Sequence, residues 1–192
     1  MDVGKVESKK RKVAWGITGA GDKIADYIEV MKEIKEEYAN KVEIHVFLSK
    51  AAEIVLKYYK LEDELKQNFR NVSVEVNSNA PFLAGWMQMH RYEFLLIAPA
   101  SSNTVAKIAN SIGDTLLTNA AIMSLKAFVP VYIAPTDYEV GVVTTVLPSG
   151  KEMKLRVRKE EAELVRKLER MEDVFVLDGP QKIRDVFQKR FR

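Results

Sequence analysis

Short apolar segments recur along this chain, and amphipathic helical patterns separate them. They lie at about residues 12–18, 42–48, 72–76, 94–98, 130–134 and 173–177. The segment at 94–98 is apolar at every position, which is typical of a strand buried on both faces of a sheet. After the first segment, Ile24, Ile28 and Met31 recur at helical spacing. Because parallel strands need long crossover connections, this alternation predicts a doubly wound α/β fold with a parallel sheet.

Residues 140–158 depart from that alternation. The stretch 140–147, which is rich in β-branched residues, and the stretch 153–157 flank a turn at 148–151 that contains Pro, Ser and Gly. This pattern predicts a β-hairpin inserted into the α/β domain. A charged helix over 159–171, a short strand and a last helix then complete a single domain over 1–192. The basic residues within 1–11 predict a short flexible leader.

The composition excludes several classes of function. With 192 residues, of which 47% are apolar, the chain is long enough for one domain with a full core. Cysteine is absent, which excludes disulfides, thiolate metal sites and cysteine nucleophiles, so any redox chemistry needs a bound organic cofactor. We predict no metal site. A net charge of +3 does not indicate a nucleic acid partner. Without an apolar run near 18 residues or a signal peptide, the protein is predicted to be cytoplasmic and free of membrane contact.

The most specific pattern lies where the fourth strand ends. There the sequence Pro-Ala-Ser-Ser-Asn-Thr leads from residues 94–98 into a helical pattern that begins at Val105. A helix that starts with hydroxyl and amide side chains presents free backbone N–H groups at the positive end of its dipole, which suits a phosphate. Ser102 or Asn103 acting only as a helix cap is the simpler alternative. The predicted phosphate contacts are Pro99, Ala100, Ser101, Ser102, Asn103 and Thr104.

Two further strand-to-helix junctions have suitable chemistry, because ligands of doubly wound sheets bind at the carboxyl ends of the strands. Thr18, Gly19 and Ala20 follow the first strand, although their spacing does not fit the dinucleotide fingerprint. Ser49 and Lys50 follow the second strand with a hydroxyl and an ammonium group. A solvated surface lysine is the alternative interpretation of Lys50. We predict that these five residues belong to the same site.

The string at residues 99–104 resembles the Pro-Ala-Ser-Ala-Asn-Thr signature of the flavin-binding superfamily that contains the phosphopantothenoylcysteine and lantibiotic-peptide decarboxylases. The similarity continues into an Asp-x-Leu-Leu-Thr core at 114–118. The resemblance implies FMN as the cofactor and adds Thr118 to the predicted site. With FMN in the site, a cation such as Lys50 near the flavin ring would favour the anionic reduced form. It also implies a homo-oligomer, trimer-based, with FMN held between subunits.

Within that superfamily, the chain is similar to an archaeal flavoprotein branch related to dihydromethanopterin reductase. Residues 14–21, 98–119 and 154–158, with the helix that follows, carry this similarity. It implies an FMN protein that takes electrons from ferredoxin and passes them to another redox partner or a pterin-type acceptor. Between 149 and 171 there are eight basic and five acidic residues, which suits an acidic ferredoxin. An exposed helix with i, i+4 pairs, such as Glu163 with Lys167, explains the same charges.

The chain departs from the decarboxylases at two positions. Their catalytic histidine lies 14 residues before the motif proline, where this chain has Gly85. Their Met-Asn substrate clamp is replaced by Thr136 and Asp137. Because glycine moves no proton, decarboxylation is disfavoured and no catalytic residue is assigned. His90 as a proton donor stays open, as do a decarboxylase or prenyltransferase-like enzyme with residues from other positions and a non-catalytic flavin-binding protein.

Overall fold

The computed structural model of the chain describes residues 10–192. The strands in this range are β1 (Arg11–Ile17), β2 (Val42–Leu48), β3 (Val72–Val74), β4 (Leu95–Ala100), β5 (Val131–Pro135), β6 (Gly141–Val146), β7 (Glu152–Val157) and β8 (Val174–Val176). The helices are α1 (Ile24–Glu37), α2 (Lys50–Tyr58), α3 (Glu62–Asn68), α4 (Leu83–Gln88), α5 (Ser102–Ala109), α6 (Leu116–Lys126), α7 (Lys159–Glu169) and α8 (Lys182–Phe191). Of the predicted leader, residues 1–9 lie outside the described residues, and Arg11 is the first residue of β1.

Six strands form one sheet in the order β3-β2-β1-β4-β5-β8, and every neighbouring pair is parallel. The chain moves outward from β1 to β3, then returns to the other side of β1 to add β4, β5 and β8. The order therefore reverses between β1 and β4. The predicted doubly wound parallel fold is confirmed. In such a sheet the crevice at the carboxyl ends of the two central strands is the expected place for a ligand.

The sheet is covered on both faces by helices, and each face has its own apolar core. Along β1, the side chains of Trp15 and Ile17 pack among α1, α2 and α8, whereas Ala14 packs on the opposite face with α5 and α6. β4 alternates in the same way, with Leu96 on the first face and Ile97 on the second. Burial on both faces explains why these strands are apolar at every position.

The two remaining strands form the predicted hairpin. β6 pairs with β7 in antiparallel register, with Val143 opposite Leu155 and Thr145 opposite Met153. Most of the hairpin is exposed, and Thr145 is the buried residue of β6. An isolated two-stranded ribbon is marginally stable in water, so its contact with the domain through such residues supports it.

The helices are short, and the longest, α1, has 14 residues. None of the helices within residues 10–192 combines the length and the apolar character needed to cross a bilayer. α1 buries one side only: its apolar residues face the sheet and its Lys and Glu residues face solvent. This is the pattern that the spacing of Ile24, Ile28 and Met31 predicted.

Candidate functional site

A cleft of about 560 Å³ opens at the carboxyl ends of the central strands. The loops that follow β1, β2 and β4 form its walls, as predicted for a doubly wound sheet. Its volume lies within the roughly 300–1,000 Å³ typical of small-molecule sites. Six of the predicted site residues line it, namely Gly19, Ser49, Lys50, Ser101, Asn103 and Thr104.

The head of α5 forms the best anion-binding surface of this cleft. Ser101 is the N-cap, and its Oγ accepts a hydrogen bond from the Thr104 N–H at 3.4 Å. In the described part of the chain, no acceptor contacts the backbone N–H groups of Ser102 and Asn103. Two adjacent free donors at the positive end of a helix are suited to a phosphate group. The structure therefore supports more than a simple helix cap at this position.

Thr18 ties the first loop to this cradle. Its side chain is fully buried, and Oγ1 donates to the Pro99 carbonyl at 2.8 Å while it accepts from the Ser101 N–H at 2.8 Å. The Thr18 N–H donates to the same carbonyl at 3.3 Å. Because Ser101 caps α5, these bonds fix the direction in which the helix begins. Thr18 thus shapes the cleft through these hydrogen bonds, although its side chain does not line the cleft.

Gly19 is required by the close approach of two loops. A Cβ atom at this position would lie 2.5 Å from the Ala51 Cβ, which is closer than side chains tolerate. The first turn of α2 therefore packs directly against the loop after β1. Ala20, next in the chain, is buried and lies outside the cleft lining.

Two other helices begin at the cleft, but the protein itself occupies their first donors. The Ser49 Oγ accepts from the Ala52 N–H of α2, and the Thr115 Oγ1 accepts from the Thr118 N–H of α6. The Glu75 carboxylate accepts from the first N–H of each helix. A phosphate is therefore directed to α5 rather than to α2 or α6.

The charged side chains of the cleft are Lys50, Glu75, Lys107 and Asp114. Lys107 and Asp114 form an ion pair with 2.9 Å between Nζ and Oδ1. Lys50 is exposed and has no ion-pair partner within 4.0 Å among residues 10–192. Its ammonium group is thus available to an anionic ligand.

Several predicted site residues are not brought to the cleft. Pro99 and Ala100 are buried in β4 and contribute backbone only. The Ser102 hydroxyl donates to Asp137, so its side chain points away from the cleft while its N–H stays free. Thr118 is fully buried, and its hydroxyl bonds to Thr115 in a capping box of α6. Thr115 and Leu117, from the same segment, line the cleft, whereas the Thr118 side chain caps α6.

The cleft lining includes charged residues that were not among the predicted site residues, namely Glu75, Lys107 and Asp114. Glu75 is the most buried of the three. Glu75 follows β3, within the segment 72–76 for which the sequence predicts only a strand. Its acceptor role depends on backbone N–H groups that lie 25 and 41 residues away. The available signal was a lone carboxylate at the carboxyl end of an apolar strand, a position that α/β enzymes often use for ligands.

Both histidines lie away from the cleft. His90 lines a groove with Lys10, Arg11 and Lys12, which lie at the amino end of β1. The groove therefore lies at the amino ends of the parallel strands, whereas the cleft lies at their carboxyl ends. His45 lies in β2 and both of its ring nitrogens have partners, since Nδ1 bonds the Tyr92 hydroxyl and Nε2 bonds a Glu43 oxygen.

A second, smaller cavity of about 260 Å³ lies beside the hairpin and contains Asp22. Burial raises the pKa of the Asp22 carboxyl above its ordinary value, and Lys23 opposes this effect while Asp137 adds to it. A raised pKa in the folded state means that ionisation of Asp22 destabilises the fold. The cost is present at neutral pH and disappears as the pH falls below the unfolded pKa of about 3.9.

Asp22→Asn is therefore expected to raise the melting temperature at pH 7 by a small amount, on the order of 1–2 °C, since partial exposure screens the charge. The gain should shrink as the pH falls and be absent near pH 3. Differential scanning calorimetry across this range measures it. Asp26→Asn, at an exposed site in the first turn of α1, is the control and should slightly lower the melting temperature. A lower melting temperature for Asp22→Asn at pH 7 would contradict the prediction.

The fold and the cleft together define a class of protein: a doubly wound α/β domain whose central crevice presents a phosphate cradle, as in proteins that bind nucleotide-like cofactors. The sequence profile of the Flavoprotein family matches residues 3–183. The chain belongs to this family, and the predicted relationship to flavin-binding proteins is confirmed.

Individual relatives agree with this assignment. The chain is 48% identical to an uncharacterized protein of Methanocaldococcus jannaschii over 93% of its length and 95% of the relative. It is 32% identical to the dihydromethanopterin reductase (acceptor) of the same organism over 93% of its length and 96% of the relative. Among solved structures, DmrB of Burkholderia xenovorans in complex with FMN, described as a cubic protein cage for redox transfer, superposes with a TM-score of 0.80. That match has 30% identity and covers 95% of this chain and 96% of DmrB.

Proposed function

We propose that this protein binds FMN in the cleft at the head of α5 and acts as an FMN-dependent reductase. The observation that carries the proposal is the pair of free N–H groups on Ser102 and Asn103. Asn103 lines the same cleft as Lys50, whose side chain is exposed. The Flavoprotein family, the FMN complex of DmrB and the dihydromethanopterin reductase of M. jannaschii support FMN and reductase chemistry.

The residues of the cleft fit the cofactor's chemistry. The phosphate would be held by the two N–H groups and the α5 dipole, and the Ser101 and Thr104 hydroxyls lie within the same turn. Lys50 would favour negative charge on the reduced ring. FMN, when bound, accepts two electrons and releases them singly or together. The protein's part is to bind and orient the cofactor.

Transfer to a pterin-type acceptor is the proposed reaction, rather than decarboxylation. Gly85 lies in α4 where the decarboxylases have a histidine, and a Cβ there would meet the Phe82 ring at 2.1 Å. His90 lies at the amino ends of the strands, on the side of the sheet away from the cleft. Neither Gly85, which has no side chain, nor the distant His90 can therefore take the place of the decarboxylase histidine in proton transfer.

An anaerobic titration tests the proposal. The purified protein is stripped of cofactor, titrated with FMN and with riboflavin, and followed by flavin fluorescence. We expect FMN to bind at least roughly 100-fold more tightly than riboflavin, because only FMN carries the phosphate. The FMN complex should then reduce dihydromethanopterin when supplied with electrons. Equal affinity for FMN and riboflavin, or a complex that transfers no electrons to any pterin, would overturn the proposal.

Ferredoxin is proposed as the electron donor, with the hairpin as its docking surface. Lys154 and Arg156 lie on the same exposed face of β7, opposite Thr144 and Val142 of β6. Within the described range, neither side chain has an ion-pair partner within 4.0 Å, whereas Arg158 is bound by Glu161.

Within α7, Glu163 pairs with Lys159 instead of the predicted Lys167, whose ammonium group donates to Asn110. Charges neutralised within one helix are therefore an explanation for α7, through pairs other than the predicted one, and not for β7. Free cations on a projecting ribbon suit an acidic partner.

Reversal of these two charges, with Lys154→Glu and Arg156→Glu combined, is expected to slow reduction by ferredoxin roughly tenfold or more at low salt. The difference should diminish at high ionic strength, since the steering is screened. Stopped-flow absorbance of bound flavin measures both rates. Reduction by dithionite should be unchanged, and the control Lys159→Glu, on α7, should have a smaller effect. If ferredoxin reduces the double variant and the Lys159→Glu control at the same rate, the hairpin is not the docking surface.

We further propose that the protein is a homo-oligomer with FMN between subunits. Ile54 of α2 and Val76, next to Glu75, are apolar and largely exposed near the cleft. Exposed apolar side chains beside a ligand site suit a subunit contact. The description of DmrB as a protein cage supports assembly. Light scattering of the purified protein should give a multiple of three subunits, and a monomer at micromolar concentration would contradict this.

A further inference from the structure

Glu75 is a nearly buried carboxylate in the wall of the cleft, with 9% of its surface exposed. Oε1 accepts from the Leu116 N–H at 2.9 Å, and Oε2 accepts from the Lys50 N–H at 3.2 Å. Its own N–H donates to the Leu48 carbonyl at 2.9 Å, which extends the pairing of β2 with the chain after β3. Both side-chain oxygens are therefore engaged by backbone donors, which is how an ionised carboxylate is satisfied.

These two donors belong to helices on opposite faces of the sheet. Lys50 is the first residue of α2, which packs on the face of α1 and α8. Leu116 is the first residue of α6, which packs on the other face. Glu75 thus joins the two helical layers at the mouth of the cleft. Its charge also cancels part of the positive field that both helix ends direct into the cleft.

We infer that Glu75 is a positioning residue that fixes the starts of α2 and α6 around the bound cofactor and keeps the reduction potential of that cofactor low. This inference rests on the proposed function. Uptake of electrons adds negative charge within the cleft, and a fixed carboxylate in the wall opposes that charge. A lower potential makes the reduced cofactor a stronger reductant. Lys50 acts in the opposite direction, and the two remaining charges of the lining, Lys107 and Asp114, neutralise each other in an ion pair.

Two substitutions separate the charge of Glu75 from its geometry. Glu75→Gln removes the charge, and its amide nitrogen cannot accept a hydrogen bond. Glu75→Asp keeps the charge but is one methylene shorter, so it loses the reach between the two helices. Glu62→Gln, on α3 where Glu62 pairs with Lys66 at the surface, is the matched control.

The experiment measures three quantities for each protein: the Kd of FMN by fluorescence, the midpoint potential of the FMN complex by spectroelectrochemistry, and the melting temperature without cofactor. We expect Glu75→Gln to shift the potential to more positive values. The shift should correspond to about a tenfold rise in the affinity for reduced over oxidised FMN. Glu75→Asp should keep the wild-type potential, with roughly tenfold weaker FMN binding and a lower melting temperature. Glu62→Gln should match wild type in the Kd and the potential, with a slightly lower melting temperature because it removes an acidic residue from the first turn of α3.

The outcomes distinguish this inference from the proposed function. If wild-type protein binds no FMN, the proposed function itself fails. If wild-type protein binds FMN and Glu75→Gln leaves its potential unchanged, only the inference about Glu75 is overturned. A purely structural role would lower the melting temperature of both variants without a change in potential. If Glu75→Gln does not fold, Glu75→Ala, which admits water to the two N–H groups, takes its place with the same expected sign.

Discussion

Replacing Asn103 with Asp is expected to weaken FMN binding roughly 100-fold or more while leaving the protein at least as stable. Asn103 is the second residue of α5 and lines the cleft. The substitution is isosteric and adds one negative charge beside the proposed phosphate. Two charges about 4–5 Å apart repel by roughly 4 kcal/mol at an effective dielectric constant near 20, which exceeds the 2.7 kcal/mol of a 100-fold change.

The effect on stability has the opposite sign, and this makes the test diagnostic. An acidic residue in the first turn of a helix stabilises it by about 0.3–1 kcal/mol through the helix dipole. The cofactor-free variant should therefore melt at the wild-type temperature or about 1–3 °C above it. Fluorescence titration and calorimetry measure the two effects. Asn40→Asp adds the same charge in an exposed turn and should change neither quantity. If Asn103→Asp binds FMN as tightly as wild type, the phosphate of FMN does not bind at the head of α5.

The sequence predicted the sheet well because burial on both faces leaves a continuous apolar signal. The segment 42–48 coincides with β2, and the predicted strands at 12–18 and 130–134 differ from β1 and β5 by one residue at each end. β8 was predicted over 173–177 and spans Val174–Val176. Strand ends depend on where the neighbouring strand stops pairing, which no local pattern encodes.

The site could be predicted where it depends on contiguous residues. The four residues from Ser101 to Thr104 lie at a strand end and start a helix, and both facts follow from the local pattern. The role of Thr18 does not, because its hydroxyl bonds to Pro99 and Ser101, more than 80 residues away. The role of Glu75 could not be predicted for the same reason, because the N–H groups that it binds are distant in the sequence. Thr118 shows the opposite case: the motif predicts a cofactor contact there, but the side chain is buried and caps α6.

The largest loss of stability is expected for Thr18→Val. Valine keeps the shape of threonine but has no hydroxyl, so the Ser101 N–H loses its acceptor and the Pro99 carbonyl loses one of two donors. An unsatisfied, partly buried donor and a lost hydrogen bond together cost about 2 kcal/mol. In a domain of this size, that corresponds to a fall in melting temperature of about 4–8 °C.

The same change should loosen the head of α5 and weaken FMN binding roughly tenfold, because the Ser101 cap sets the direction of the two free N–H groups. Thr18→Ser is the matched control: it keeps the hydroxyl and loses one buried methyl group, at a cost of about 1 kcal/mol. Serine should therefore retain wild-type affinity for FMN despite a modest loss of stability, whereas valine loses both. If both variants bind FMN like wild type, the bonds of Thr18 stabilise the fold without shaping the cradle, since the α5 terminus then keeps its geometry through its own backbone.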